Sequence, residues 1–298
     1  MGHPGGAPRH PYAWPVRIDL HTHSSASDGT EPAEVVVAQA ARAGLDVVAL
    51  TDHDTYAGWP AAQAAARELG VGFVPGVEVS CSHRGVSVHL LGYLVDPGFA
   101  PLVEELEKAR ESRVSRVERM VDRMAADGIP VSMEAVRAQA GEDTTLGRPH
   151  IADALVAAGY VPSRDAAFTD VLRNGSPYYV SHYAPSPVRA VQLVRAAGGV
   201  PVMAHPFASS RGWTVDDDVI AAMAQAGLAG LEADHRDHTD DQRDHARALA
   251  AQLGLFTTGA SDYHGAGKRN RLGENTTSPE VLAEIERQAT SGVEVVRP

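Results

Sequence analysis

His21 and His23, at the end of the short apolar run Ile18-Asp19-Leu20, are the first sign of chemistry in this chain. On an extended backbone, side chains two apart point the same way, so both imidazoles could face one point beyond a strand end. Alone, such a pair is an ordinary feature of loops. Here the arrangement recurs. Asp28 follows in Ser27-Asp28-Gly29, and Asp52, His53 and Asp54 close the next apolar run. Glu78 and His89 lie in two later runs, and His205 follows Val200-Pro201-Val202-Met203-Ala204. Glu232 ends a further run, and Asp262 and His264 follow the last. Each has a mundane reading by itself, Asp28 as a turn residue and His89 as a hydrogen-bonded core residue. Burying them together would be strongly unfavourable without cations to offset the charge. Imidazoles and carboxylates without a thiolate cluster suit Mn, Fe or Zn. The donors are too many for one tetrahedral ion, so two to three divalent ions are expected.

Alternating strand-like and helix-like segments must position these residues. Strands are expected at 16–20, 46–50, 72–82 and 86–94, with helices at 31–43 and 58–69, the latter stopping at Gly70. This βαβα order implies a parallel sheet, open or closed. From 99 to 190 strand alternation disappears. A charged helical pattern over 101–126 and shorter ones near 132–140, 148–158 and 163–173 read as a helical insert or cap. The charges of the long helix, Arg113 and Arg116 among them, read as a solvated face. Alternation then returns: helices at 186–197, 215–226, 240–253 and near 279–290, strands at 200–203, 228–232, 255–258 and near 293–296. The domain boundaries expected are a flexible leader at 1–15, a barrel made of 16–98 and 191–298, and the insert at 99–190. Roughly seven βα units with one interruption suggest an α/β fold, a distorted (β/α)7 barrel whose chemistry sits at the C-terminal strand ends.

The 298 residues, 44% hydrophobic, suffice for a large core. A formal charge of −12 is a poor match for a protein living on long nucleic acid. No apolar stretch approaches the ~20 residues of a membrane helix. A single cysteine, Cys81, excludes an internal disulfide, and with it a cytoplasmic location is expected. A short anionic substrate remains compatible if the local field in the cleft is positive. Nothing points to an obligate protein partner.

His21-Thr22-His23, Ser27-Asp28-Gly29, Thr51-Asp52-His53, Gly76-Val77-Glu78, Ala204-His205-Pro206 and Ser261-Asp262-Tyr263-His264 together resemble the polymerase-and-histidinol-phosphatase (PHP) family of metallophosphoesterases. The resemblance spans 16 to about 275. It implies a trinuclear centre: one ion on His21, His23, Glu78 and Asp262, a second sharing Glu78 with His89 and His205, a third on Asp28, His53 and His264. Glu78, Asp262 and His264 would be catalytic, with a hydroxide shared by two ions attacking phosphorus. Asp52 and Asp54 fall outside the set, either shaping a turn or orienting an imidazole N–H. Gly147-Arg148-Pro149-His150 and the stretch from Glu232 to Thr239 resemble the branch that acts on nucleoside 3',5'-bisphosphates or on short RNA from its 5' end. Arg148 and His150 would grip phosphate from the insert, an arginine fork matching phosphate geometry. His235, His238 and Lys268 are further substrate-binding candidates, and Tyr178 and Tyr179 could stack on a base or simply pack. The alternatives are a phosphatase for histidinol phosphate or a cyclic sugar phosphate, and a metal-stabilised binding module without activity.

Overall fold

The structure, a computed structural model, describes residues 16–140 and 144–298, so the expected leader at 1–15 lies outside the described residues. The strands are β1 (Ile18–Asp19), β2 (Val47–Leu50), β3 (Gly72–His83), β4 (Val86–Tyr93), β5 (Val200–Met203), β6 (Gly230–Asp234) and β7 (Phe256–Gly259). They form one seven-stranded sheet in sequence order. Single bridges, Thr22 to Tyr263 and Ile18 to Thr277, bring its first strand back to the region after its last, so the sheet is a nearly closed barrel. Two-residue periodicity sorts the side chains. Val47 and Ala49 of β2 join an inner cluster with Leu91, Tyr93, Val200 and Val202, whereas Val48 and Leu50 point to the outer cluster shared with helices. That outer layer holds α1 (Ala33–Arg42), α2 (Trp59–Leu69), α7 (Pro187–Ala196), α8 (Asp217–Gln225) and α9 (Asp240–Leu253), while α10 (Pro279–Gln288) packs on the inner cluster.

Three expectations need correction. The sheet is not all parallel: β4 runs antiparallel to both β3 and β5. β3 and β4 are joined by a tight hairpin through Arg84 and Gly85, both at positive φ (51° and 85°), and a two-residue link leaves no length for a helical crossover. The first strand shrinks to Ile18–Asp19. The strand expected near 293–296 is only a single bridge between Val296 and Phe73.

The insert comprises α3 (Ala100–Ala126), α4 (Met133–Arg137), α5 (Arg148–Ala157) and α6 (Arg164–Thr169). It has its own apolar cluster, including Val117, Met120, Met124, Ile151 and Leu155. The long α3 serves two cores. Its Leu102 and Leu106 belong to the barrel cluster, and residues from Val117 onward to the insert cluster. Its charges are not all solvated either, because Arg116 is buried and Arg113 half-buried. Among the described residues, no helix is long and apolar enough to cross a membrane.

Candidate metal centre

The loops after β1, β2, β5 and β7, together with side chains within β3 and β4, converge at one end of the barrel. His21 and His23 present their Nε2 atoms 3.1 Å apart. Glu78 Oε2 lies 3.2 Å from the first and 3.0 Å from the second. Asp262 Oδ1 completes this group at 3.5 and 3.4 Å. A second group gathers His23, Asp28, His53 and His264, with His264 Nε2 3.1 Å from Asp28 Oδ1. A third brings His53 and His89 to Glu78. His205 Nε2 faces the other Glu78 oxygen, Oε1, at 3.5 Å. All nine residues expected as ligands from the sequence therefore meet in one place. The grouping differs in detail from the expected one, since His23 and His53 each stand between two groups.

Donor chemistry and orphaned atoms fit divalent cations. Asp28 Oδ1, His53 Nδ1, Glu78 Oε1, His89 Nδ1, His205 Nε2 and His264 Nε2 are buried without a hydrogen-bond partner. Leaving such groups unsatisfied is costly, and a cluster of them marks a missing common partner. His89 Nδ1 and Glu78 Oε1 are 2.7 Å apart yet not in hydrogen-bonding geometry, as two ligands of one ion would be. Burial disfavours charge on the His21, His23, His53, His205 and His264 imidazoles. It prevails at His53, well below the usual histidine range, at His205, pushed down to about 3 with Arg211 adding repulsion, and at His264, pushed down to about 4 with Lys268 adding to it. At His21 burial is outweighed by Glu232, Glu78 and Asp262, which lift it well above that range. At His23 it is outweighed by Asp262 and Glu78, which raise it to about 9. For the carboxylates, burial works upward, but neighbouring histidines hold Asp28 and Glu78 well below the ordinary range, and Lys268 and Arg211 do so for Asp262.

Buried acids hold these ligands in place. Glu232 Oε1 accepts from His21 Nδ1 at 3.0 Å, leaving Nε2 bare toward Glu78 when the ring is neutral. Its Oε2 accepts from the His205 backbone N–H at 2.8 Å. That bond helps keep His205 at φ 30°, and Asp262 sits at φ 53°. Strain in this left-handed region persists only where the surroundings over-determine it. Asp19 ties β1 to the loops after β7 by accepting from the backbone of Ser261 at 3.0 Å and Gly273 at 2.8 Å. Burial raises Asp19 to about 6 against those hydrogen bonds. Asp52 accepts from Ser24 and Ser27, and Asp54 from Ser80 and Arg113, so both brace loops and neither bonds an imidazole. Sequence reasoning noted Glu232 without assigning it a role, although an acid closing an apolar run was the same signal that singled out the ligands. Asp19, an acid inside such a run, offered a similar signal. Nothing in the chain pattern marked Arg211, which reaches Asp262 Oδ2 at 2.5 Å.

The substrate-binding candidates part ways. Arg148 and His150 line different cavities. Arg148 lines one of about 540 Å³ with His89, His205, Arg84 and Arg211. His150 spends Nδ1 on the Gly147 N–H at the start of α5 and lines another, of about 690 Å³, with Lys268 and Arg164. Lys268 Nζ lies 3.1 Å from Asp262 Oδ2. His235 is buried at the cage edge, its Nε2 3.5 Å from the same oxygen. His238 is not free for substrate, because its Nδ1 bonds Ala233 O and its Nε2 accepts from the Phe207 N–H. Tyr179 lies beneath the guanidinium groups of Arg116 and Arg148, and Tyr178 donates to Asp127.

Between α3 and the barrel these arginines form a second unusual cluster. Arg148 is held by Leu172 O, Asn174 Oδ1 and the rings of Phe168 and Tyr179, and Arg116 by His182 Nδ1 and Tyr179. None of these partners is anionic. Burial, reinforced by Arg148 and Arg113, lowers Arg116 to about 9, and burial with Arg113 and Arg116 lowers His182 to about 2.

A family model for the PHP domain matches residues 19–118. The chain is 35% identical over 285 residues to a 3',5'-nucleoside bisphosphate phosphatase of Chromobacterium violaceum, covering 95% of this chain and 99% of that protein. It is 36% identical to a phosphoribosyl 1,2-cyclic phosphate 1,2-diphosphodiesterase of Eggerthella lenta, covering 83% and 94%. A 5'-3' exoribonuclease of Haemophilus influenzae is 32% identical, covering 87% and 94%. A Bifidobacterium adolescentis chain described as a metal-dependent phosphoesterase superposes with a TM-score of 0.89 at 41% identity, covering 92% and 96%.

Proposed function

The chain belongs to the PHP family and is a metal-dependent phosphoesterase, and from that premise we propose that it acts on a nucleotide carrying at least two phosphates: a nucleoside 3',5'-bisphosphate, or the 5' end of a short RNA. One observation carries this reading. In a chain of net charge −12, the cavity beside the cage is lined by three arginines and two histidines and by no carboxylate. A substrate with a single phosphate, bound at the cage, would leave Arg148 without a counter-ion. A second phosphate supplies one, and an arginine fork suits it.

His21, His23, Glu78 and Asp262 would hold one ion, Glu78 with His89, His205 and His53 a second, and Asp28 and His264 with His53 or His23 a third. Manganese is the first candidate and iron or zinc the alternatives. When bound, such ions supply positive charge that polarises the phosphoryl group and makes water more acidic. The protein's part is to keep donors bare and carboxylates ionised. His264 donates Nδ1–H to Asp262 O at 2.8 Å, which leaves Nε2 as a lone pair facing Asp28. Glu78, with its two oxygens turned toward different imidazoles, would be shared between two of the ions. Arg148 binds the phosphate that does not react, and so fixes the reacting one against the cage.

The test is a manganese-supplemented panel of adenosine 3',5'-bisphosphate, a 5'-phosphorylated oligoribonucleotide, phosphoribosyl 1,2-cyclic phosphate, histidinol phosphate and a generic aryl phosphate. The highest kcat/KM is expected for one of the first two. Preference for the cyclic phosphate would favour the Eggerthella-like reading, and preference for histidinol phosphate would overturn the requirement for a second phosphate.

A further inference from the structure

Trp213 is 84% exposed, more than any other large apolar side chain among the described residues. A lone surface tryptophan needs no explanation. This one lines the cavity that also contains His89, His205 and Arg148. Its position is built rather than incidental. The turn before it, Ser209–Arg211, is pinned to the cage by Arg211, which bonds Asp262 and Asp237. Gly212 follows at φ 134°, a backbone state that L side chains rarely adopt, and a Cβ there would stand 3.0 Å from Asn174 Nδ2. Asn174 is the same residue that accepts from Arg148. The loop thus sets the indole at the cavity, pinned to the cage by Arg211 and passing close to Asn174.

We infer that Trp213 is a specificity-determining residue, the platform on which the nucleobase of a bound nucleotide stacks. The inference deepens the substrate reading above and rests on it. An indole face accepts any base, and stacking is worth on the order of tenfold or more in affinity. Recognition at this position is by aromatic surface, so purine nucleotides bind better than pyrimidine ones and all four are accepted.

The experiment compares wild type, Trp213→Ala and Trp213→Phe on adenosine 3',5'-bisphosphate and on the base-free sugar bisphosphate. Because Trp213 is exposed, neither variant threatens the fold. The expected result is a KM for the adenosine compound raised about tenfold in Trp213→Ala with kcat little changed, largely restored in Trp213→Phe, and a KM for the base-free compound that does not move. An unchanged KM for the adenosine compound, or an equal rise for both, overturns the platform. If the wild type turns over neither bisphosphate, it is the substrate reading that fails. The platform is then judged by calorimetric binding of adenosine 5'-monophosphate: about tenfold weaker in Trp213→Ala sustains it, and equal affinity in the two proteins overturns it.

Discussion

The barrel end and the insert seam both take ionisable groups out of water, but in opposite ways. At the cage, carboxylates and imidazoles crowd together, several of their donor atoms meeting no hydrogen-bond partner. At the seam, guanidinium groups crowd together and lean on carbonyls, an amide and aromatic rings. The first arrangement is short of positive charge and the second of negative charge. Since both border one cavity, a substrate that is anionic at two points, with cations at the cage, completes both deficits at once.

The contrast breaks most sharply at Glu78. Glu78→Gln should remove bound manganese and lower kcat/KM for every phosphate ester by about 10³-fold or more, with near-ultraviolet circular dichroism unchanged. Normal metal content by elemental analysis would exclude Glu78 as the bridge. At the seam the effect should be selective. Arg148→Ala is expected to lower kcat/KM for the bisphosphate by roughly 10- to 100-fold, the range of a charge-assisted hydrogen bond, and to leave aryl phosphate turnover within about threefold. An equal fall for both substrates would make Arg148 structural.

Glu232→Gln probes the support of the cage. It keeps the size of the side chain but weakens the hold on His21 and His205, so manganese affinity should drop roughly 10- to 100-fold, with saturating metal restoring most of the activity. No restoration would place Glu232 in the reaction itself. The mildest probe is pH. His205 and His264, pushed down to about 3 and about 4, refuse protons that the unfolded chain takes up below 6.5, so stability falls as pH drops below that value. His23, raised to about 9, keeps a proton that the unfolded chain releases above 6.5, so stability also falls as pH rises from 6.5 to about 9. The metal-free protein should therefore melt highest near pH 6.5, and manganese should flatten the alkaline side by replacing that proton. A Tm of chelated protein that climbs steadily through pH 8 would contradict this.

The convergence of the candidate ligands was legible in the sequence because strand ends announce themselves. A β-branched run buries itself, and a histidine or carboxylate placed just after it must sit at the barrel rim. His21, His205 and Asp262 all follow from that logic. The reversed direction of β4 was not legible from apolar pattern, which has the same period in either direction; only the two-residue link at Arg84 and Gly85 carried the information. Arg113 and Arg116 were misread because a helix carrying many charges satisfies the rule for solvated faces on any side until its neighbours are known. Glu232 braces His21 from 211 residues away, a relation that exists only once the sheet has closed. Arg148 and His150 were grouped by adjacency, yet the start of α5 turns them toward different cavities.

The 27-residue helix α3 has a mechanical consequence. It is rooted through Leu102 and Leu106 in the barrel and through Val117 and Met120 in the insert, and it carries Arg113 and Arg116 between those anchor points. An unbroken helix behaves as a rigid ruler, rising 1.5 Å per residue. It therefore fixes the spacing between the insert core and the barrel core, and a shift at one anchor is carried to the other.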